Sequence, residues 1–385
     1  MSREVLFRGG PVCAADGVLS DGWVLVRDGH IVDLGSGGAP LGADGPSQII
    51  DLEGRVLAPG LIDLHAHGAL GCDTMDADPA SLRTMAGYYA QHGVTGYLAA
   101  TMTAPIEAIR AALKTVAGVM AKATGGARLL GAHLEGPFLD PAHAGAQAPA
   151  HVTRADEADY AALFDTGAVR ILTLAPEFPE SRPLIGYARQ RDVVVAMGHT
   201  GADYETACEA ARLGVSHVTH LYNAMPPLNH RQPGTVGAAL TLDALTCELI
   251  VDLVHVHPAV VALTHRLLGS ERLVLVTDAM SGTGMPDGEY SLGGLPVTVV
   301  GGVARGDGGV LAGSTLTMDR AVANMMRATG EPLRAVLPMA SRTPARILGL
   351  PKGEIAAGRD ADLIVLSEDG SVDLTMVSGE TVWRR

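Results

Sequence analysis

Eight short apolar runs, alternating with Ala-rich amphipathic stretches, restrict this chain to very few folds. They are LIDLHAH (61–67), GYLAAT (96–101), RLLGAHLE (128–135), VRILTLAPE (169–177), VVVAMGHT (193–200), HVTHLYN (217–223), CELIVDLVH (247–255) and RLVLVTD (272–278). Near-continuous apolar runs, lacking the strict alternation of a half-exposed strand, suit a parallel sheet covered by helices. Helix-start signals stand between them: Asp78-Pro79 before SLRTMAGYYAQHG, Pro105 before IEAIRAALKTVAGVM, and Asp203 before YETACEAARLG. Aspartate accepts from the free N–H groups of a first turn, and proline tolerates lacking one. Eight such units predict an α/β fold, a (β/α)8 TIM-like barrel.

The two chain ends differ from this pattern. Residues 1–57 are rich in Gly and Asp with short alternating strands (VLVRDGHIVDLG), and residues 353–385 repeat the style (DADLIVLSEDG, TMVSGETVWRR). Both ends are expected to pair into one small β-sandwich domain beside a barrel spanning 58–352. A Gly-rich segment at about 286–313, with Val-rich runs between turn residues, reads as a β-hairpin inserted after the eighth strand.

Composition narrows the function classes. The 385 residues are 47% hydrophobic and 18% charged, enough apolar material for a large core and too little charge for a disordered chain. The formal net charge of −14 argues against nucleic acid or an anionic membrane as partner, since both need a basic face. The four cysteines, Cys13, Cys72, Cys208 and Cys247, form no CxxC pair, so no disulfide framework is indicated. MSREVLFRGG has no basic-then-apolar signal pattern and no long apolar stretch occurs, so a soluble cytoplasmic protein is expected.

In a barrel of this kind chemistry sits where the strands end. Here strand one closes in His65-Ala66-His67, strand three in Glu135, strand five in His199, strand six in His220 and strand eight in Asp278. Histidines two apart on a strand point the same way and can share one ion. Each residue alone has an ordinary structural reading, but five of eight strands placing His, Glu or Asp at one rim is hard to explain by packing. Imidazole and carboxylate ligands suit zinc or a similar divalent ion. His30, His92, His133, His151, His217, His230 and His265 fit no such pattern and are read as structural.

Further segments give a resemblance. APGLIDLHAHG (58–68), HLEGPFL (133–139), MGHT (197–200), THLYNAMPPL (219–228), VDLVHV (251–256), VTDAM (276–280), LAGSTLTMD (311–319) and GEIAAGRDADLIVL (353–366) resemble the N-acetylglucosamine-6-phosphate deacetylases of the amidohydrolase superfamily over essentially the whole chain. HLEGPF with HLYNAM is specific to that family, whereas the closing segment is shared by many amidohydrolases. Other branches bridge two metals with a carboxylated lysine at the end of strand four. This chain has three lysines, Lys114, Lys122 and Lys352, none of them there, so Glu135 must supply the bridging or principal carboxylate, as the resemblance also implies.

The resemblance implies metal-dependent hydrolysis of the N-acetyl group of N-acetyl-D-glucosamine 6-phosphate. Glu135, His199 and His220 would hold one metal acting as a Lewis acid, and His65, His67 and Asp278 would complete a second site. Zinc is the expected ion, with iron, manganese or cobalt accepted by the same ligands, one or two per chain. Asp278 is the expected general base, taking a proton from water and returning it to the departing amine. By similarity Asn223 with the backbone of Ala224, His255 and Arg231 bind the phosphate, the arginine reaching from a neighbouring subunit and so demanding a homodimer or larger homo-oligomer.

One departure stands out. Most relatives carry Gly-Ala-His in the loop after HLEGPF, whose imidazole is thought to grip the acetyl oxygen. Here the stretch is DPAHAGAQAP, with Gln147 in that place, able to donate a hydrogen bond but not to carry charge. His143 could substitute only if the loop were rearranged. Two alternatives remain at this level: another amino-sugar phosphate such as N-acetylgalactosamine 6-phosphate as substrate, or a catalytically silent scaffold, against which the complete ligand rim argues.

Overall fold

The computed structural model describes residues 4–39 and 46–385; residues 1–3 and 40–45 of the amino-terminal segment lie outside it. Eight strands, Leu61–Ala66, Val94–Ala100, Arg128–Glu135, Val169–Leu174, Val194–Met197, His217–Val218, Thr246–Ile250 and Leu273–Val276, pair side by side in chain order, every pair parallel. These are the expected eight, and their side chains are nearly all buried, as a sheet covered by helices requires.

Strands eight and one close the barrel without a regular ladder. A backbone bridge joins Ala66 to Ala279, and Asp278 N–H donates to the His65 carbonyl at 2.9 Å. Beside them the buried Asp63 carboxylate accepts from the Thr277 hydroxyl at 2.5 Å, from Thr277 N–H at 3.3 Å and from His65 N–H at 3.2 Å. A carboxylate placed inside an apolar run is costly unless such donors meet it, so the seam depends on this residue.

The helices begin where the sequence signals stood. Asp78 accepts from Ala80 N–H ahead of Pro79–Gln91, and Asp203 from Thr206 N–H ahead of Tyr204–Leu213, which ends at Gly214 with φ 115°. Helix Ile106–Met120 follows Pro105 without a side-chain cap. Its buried residues Ile109, Ala112, Leu113, Val116 and Val119 form one stripe against the barrel.

Strands from both chain ends share one eight-stranded sheet. Glu380–Arg384, Val372–Val377 and Leu363–Leu366 lead to Val56–Pro59, then Glu4–Ala14, Gly17–Arg27 and His30–Ser36, with Gln48–Asp51 parallel to Glu4–Ala14. This sheet has its own core, including Phe7, Val24, Ile31, Leu57, Leu363 and Met376.

The insertion after strand eight has one strand more than the expected hairpin: Gly288–Leu292, Leu295–Val300 and Val303–Arg305 form an antiparallel meander. The second turn is Gly301-Gly302, both at positive φ (59° and 73°), which lets the chain reverse again within two residues. Its apolar face packs Leu292, Val297 and Val299 onto Met102 and Met280, and Gly293 N–H donates to Asp73 at 3.0 Å, fastening the meander over the mouth. No helix among the described residues is long and apolar enough to cross a membrane.

The seam is testable. Asp63→Ala strands three buried donors and is expected to lower the unfolding free energy by about 3 kcal/mol, read from the urea midpoint and slope. A change within about 0.5 kcal/mol, the range of an ordinary surface substitution, would show that other contacts hold the seam.

Candidate metal centre at the barrel mouth

Side chains from five strand ends meet in one buried cluster. Glu135, the last residue of strand three, directs Oε1 to His199 Nε2 and His220 Nε2, both at 3.1 Å, and to His65 Nε2 at 3.4 Å. Its Oε2 lies 3.4 Å from His67 Nε2. His65 Nε2 and His67 Nε2 are 3.2 Å apart, and His199 Nε2 and His220 Nε2 are 3.0 Å apart. Asp278 Oδ1 lies 3.2 Å from His67 Nε2 and 3.7 Å from His65 Nε2. The expected ligand sets, Glu135/His199/His220 and His65/His67/Asp278, thus each gather their ligand atoms within 4.8 Å of one another.

The placement of His199, His220 and Asp278 differs from the expected strand endings. Strand five stops at Met197, strand six at Val218 and strand eight at Val276, so each ligand comes two residues later. All three have positive φ, 49° at His199, 28° at His220 and 50° at Asp278. Left-handed backbone is unfavourable for such residues and is held by its surroundings, a pattern concentrated at functional sites. It turns the side chains across the mouth where continued pleating would have stacked them along the rim.

The far ring nitrogens show how the imidazoles are aimed. His199 Nδ1–H donates to the His143 carbonyl at 3.1 Å, and His65 Nδ1 lies 2.9 Å from Glu248 Oε2. Each contact holds a proton on Nδ1, so that in the neutral ring Nε2 is the lone-pair nitrogen facing the cluster. His143 therefore contributes a main-chain oxygen, while its own ring pairs with Asp140 Oδ2 at 2.6 Å. Glu248, in the middle of strand seven, was missed by sequence reading. The available signal was an ionisable residue inside the apolar run CELIV.

Electrostatics follow from crowding. Burial alone would raise the Glu135 carboxyl, but the charge of His65 and hydrogen bonds from His199 and His220 outweigh it and hold Glu135 well below the usual range. Burial likewise opposes ionisation of Asp278, yet His65 and His67 keep its carboxyl lowered. For His67 burial is outweighed by hydrogen bonds to Asp278 and Glu135, lifting the imidazole to about 9, and His65 is raised well above its ordinary value by Glu135, Glu248 and Asp278. His133 shows the opposite case: burial and then the neighbouring His65 push it to about 3, and it bonds to Thr173 Oγ1 and the Leu64 carbonyl as a neutral structural residue.

Two pairs of imidazole nitrogens at 3.0–3.2 Å, pressed on carboxylate oxygens without bulk water, form a donor set suited to divalent ions. Lysine takes no part: Lys114 and Lys122 are exposed, and Lys352 is buried against Asp362 at 2.6 Å. A cavity of about 190 Å³ opens over the cluster, lined by His67, Glu135, His199, His220 and Asp278 together with Gln147, Asn223, Ala224 and His255.

The expected substrate residues are in part brought together there. His255 Nδ1 pairs with Asp252 Oδ2 at 2.7 Å. Asn223 Nδ2 donates to the His220 carbonyl at 3.1 Å, so its amide also braces a ligand turn. Gln147 is buried with both amide ends engaged, Oε1 accepting from Thr103 N–H at 2.7 Å and Nε2 donating to Glu135 Oε2 at 2.6 Å. Arg231 does not line the cavity of its own chain and is exposed on the loop before helix Gly234–Thr241.

Residues 56–382 match the model of the Amidohydrolase family. The N-acetylglucosamine-6-phosphate deacetylase of Bacillus subtilis (strain 168) is 36% identical over 98% of this chain and 97% of its own length. The N-acetylgalactosamine-6-phosphate deacetylase of Escherichia coli O157:H7 is 37% identical over 95% of this chain and 96% of its own. A mutant N-acetyl-D-glucosamine-6-phosphate deacetylase from Mycobacterium smegmatis, solved with N-acetyl-D-glucosamine-6-phosphate, superposes with a TM-score of 0.92 at 34% identity, covering 99% of both chains.

The raised imidazoles give a pH prediction. His67 holds its proton below about 9, so below that pH an ion must displace it, and above it the competition disappears. Metal affinity of the stripped protein should therefore fall as pH drops from 9 towards 6, with net proton release on loading. Calorimetric titration at pH 7 in buffers of different ionisation enthalpy measures that release; affinity that does not change over the range would refute it.

Proposed function

The chain belongs to the amidohydrolase family and, within it, to the N-acetylglucosamine-6-phosphate deacetylases, and from that premise we infer how its mouth performs the reaction. It hydrolyses the N-acetyl group of N-acetyl-D-glucosamine 6-phosphate, giving D-glucosamine 6-phosphate and acetate. The observation that carries the residue roles is the meeting of Glu135, His199 and His220 with His65, His67 and Asp278 beneath one cavity. The substrate bound by the Mycobacterium smegmatis neighbour favours the gluco epimer over the galacto one.

Glu135, His199 and His220 hold one divalent ion and His65, His67 and Asp278 a second, with zinc the proposed metal. A bound ion supplies Lewis acidity at the acyl oxygen and lowers the proton affinity of water. Asp278, whose carboxyl is held below its usual range by His65 and His67 in the ion-free cluster and would face a divalent ion in the loaded one, accepts a proton from the attacking water as its oxygen bonds to the acyl carbon. It delivers that proton to the amide nitrogen as the C–N bond breaks, so the sugar leaves as an amine and the acyl group as acetic acid, which releases its remaining proton to become acetate. Gln147 has a second amide hydrogen beyond the one given to Glu135, and this N–H is assigned to the acyl oxygen.

His255, braced by Asp252, and Asn223 with Ala224 form the phosphate end of the cavity. The exposed position of Arg231 supports its reaching the phosphate of a partner subunit, which makes the working form at least a homodimer. Residues 58–352 are proposed as the catalytic unit and both chain ends as its companion, and the cytoplasm as the place where this phosphorylated sugar is met.

Acetate release from N-acetyl-D-glucosamine 6-phosphate tests the reading. Asp278→Asn should lower kcat by about 10²–10⁴-fold, since Asn neither accepts nor returns the proton. Retention of more than a tenth of the wild-type rate would remove Asp278 from this role.

Arg231→Ala should act mainly on KM. Mixing Arg231→Ala chains with Asp278→Asn chains should restore activity above either alone, because one of the two shared sites in a mixed dimer is whole. No recovery after verified subunit exchange would place the arginine in its own chain.

A further inference from the structure

Glu248 lies in strand Thr246–Ile250, is fully buried and does not line the cavity. Its Oε2 meets two groups at once, His65 Nδ1 at 2.9 Å and the main-chain N–H of His220 at 3.1 Å. Its Oε1 lies 3.3 Å from His217 Nε2. Of the other three imidazoles of the cluster, His199 Nδ1–H donates to the His143 main-chain carbonyl, and Nδ1 of His67 and Nδ1 of His220 find no hydrogen-bond partner, so no other ligand imidazole is backed by a carboxylate. A buried carboxylate is costly in an apolar strand, so one bonded to the back of a single ligand imidazole indicates a task at that imidazole.

We propose that Glu248 is a positioning residue for the second ion: it orients His65, fixes its proton on Nδ1, and thereby leaves the Nε2 lone pair directed at the His65/His67/Asp278 position. This rests on the two-ion reading above. The same oxygen clamps the His220 main chain, where φ is 28°, but leaves that ring free, so the His220 ligand depends on Glu248 for its place and not for its tautomer. The effect of Glu248 is therefore unequal at the two positions.

The experiment loads metal-stripped protein with Zn²⁺ and resolves two affinities, by competition with a chromogenic chelator and by elemental analysis at fixed free Zn²⁺. Loss of a ligand's hydrogen-bond partner costs about 10–100-fold in metal affinity. Glu248→Gln retains an acceptor without the charge and should weaken the second ion by about 10-fold, and Glu248→Leu by about 100-fold, with the first ion changed less than about 3-fold. The thermal midpoint of the stripped variants checks folding, and if Glu248→Leu does not fold then Glu248→Gln carries the test.

His65→Ala separates the two ways of failing. If the wild-type protein takes up a single ion, the two-ion reading is wrong and the inference goes with it; if it takes up two and His65→Ala still holds both unchanged, His65 is no ligand and the inference is refuted. If His65→Ala loses the second ion while Glu248→Gln holds both at wild-type affinity, the two-ion reading stands and the role of Glu248 is refuted. Equal weakening of both ions in Glu248→Gln makes the residue a general structural support and also refutes it.

Discussion

Everything at the mouth depends on a buried anion. Glu135 is 2% exposed, and one of its oxygens lies within 3.4 Å of three imidazole nitrogens. An isolated carboxylate at such depth would take up a proton, because burial penalises the charged form. Here positive charge is supplied around it, by protons on the imidazoles in the stripped protein and by divalent ions in the loaded one, and the two compete for the same lone pairs. The barrel contributes what a flexible chain could not, several ligands brought from distant segments to one point and held before any ion arrives.

Holding them has a conformational cost. His199, His220 and Asp278 all carry positive φ, a state that costs on the order of 1–3 kcal/mol for a residue with a side chain. Each is fixed by hydrogen bonds to its main-chain groups. Asp278 is held between the His65 carbonyl, to which its N–H donates at 2.9 Å, and Ser314, whose N–H it accepts at 2.7 Å. The His220 N–H is taken by Glu248, and the His199 carbonyl accepts from Asp140 N–H at 2.9 Å. The same turns cut strands five, six and eight short, so barrel closure and ligand placement are one arrangement.

The barrel was legible because its strands are largely apolar and its helices announce their starts, as at Asp78 and Asp203. The meeting of the six residues proposed as ligands was legible because polar side chains at strand ends have few reasons to be there. Local features that depend on backbone sign were not: the left-handed turns at His199 and His220 have no sequence mark comparable to glycine. The third strand of the meander, Val303–Arg305, is brief, and residues 286–313 read as a plain hairpin. Glu248 was hidden by its own setting, since an apolar run is recognised by its majority and the single ionisable residue within it was passed over.

Gln147 changes the balance of charge in this mouth. A histidine at that place could add a positive charge beside Glu135, but an amide cannot. With neutral imidazoles, the carboxylates of Glu135, Asp278 and Glu248 together place three negative charges at the centre, while Asp63 lies at the seam with its oxygens bonded to Thr277 and His65. One divalent ion leaves that group anionic, which opposes negative charge developing on an acyl oxygen. Two leave a single positive surplus, which favours it. Under the proposed two-ion reading, the neutral residue at position 147 therefore makes the second ion, and with it the placement of His65, more consequential than a positively charged side chain there would.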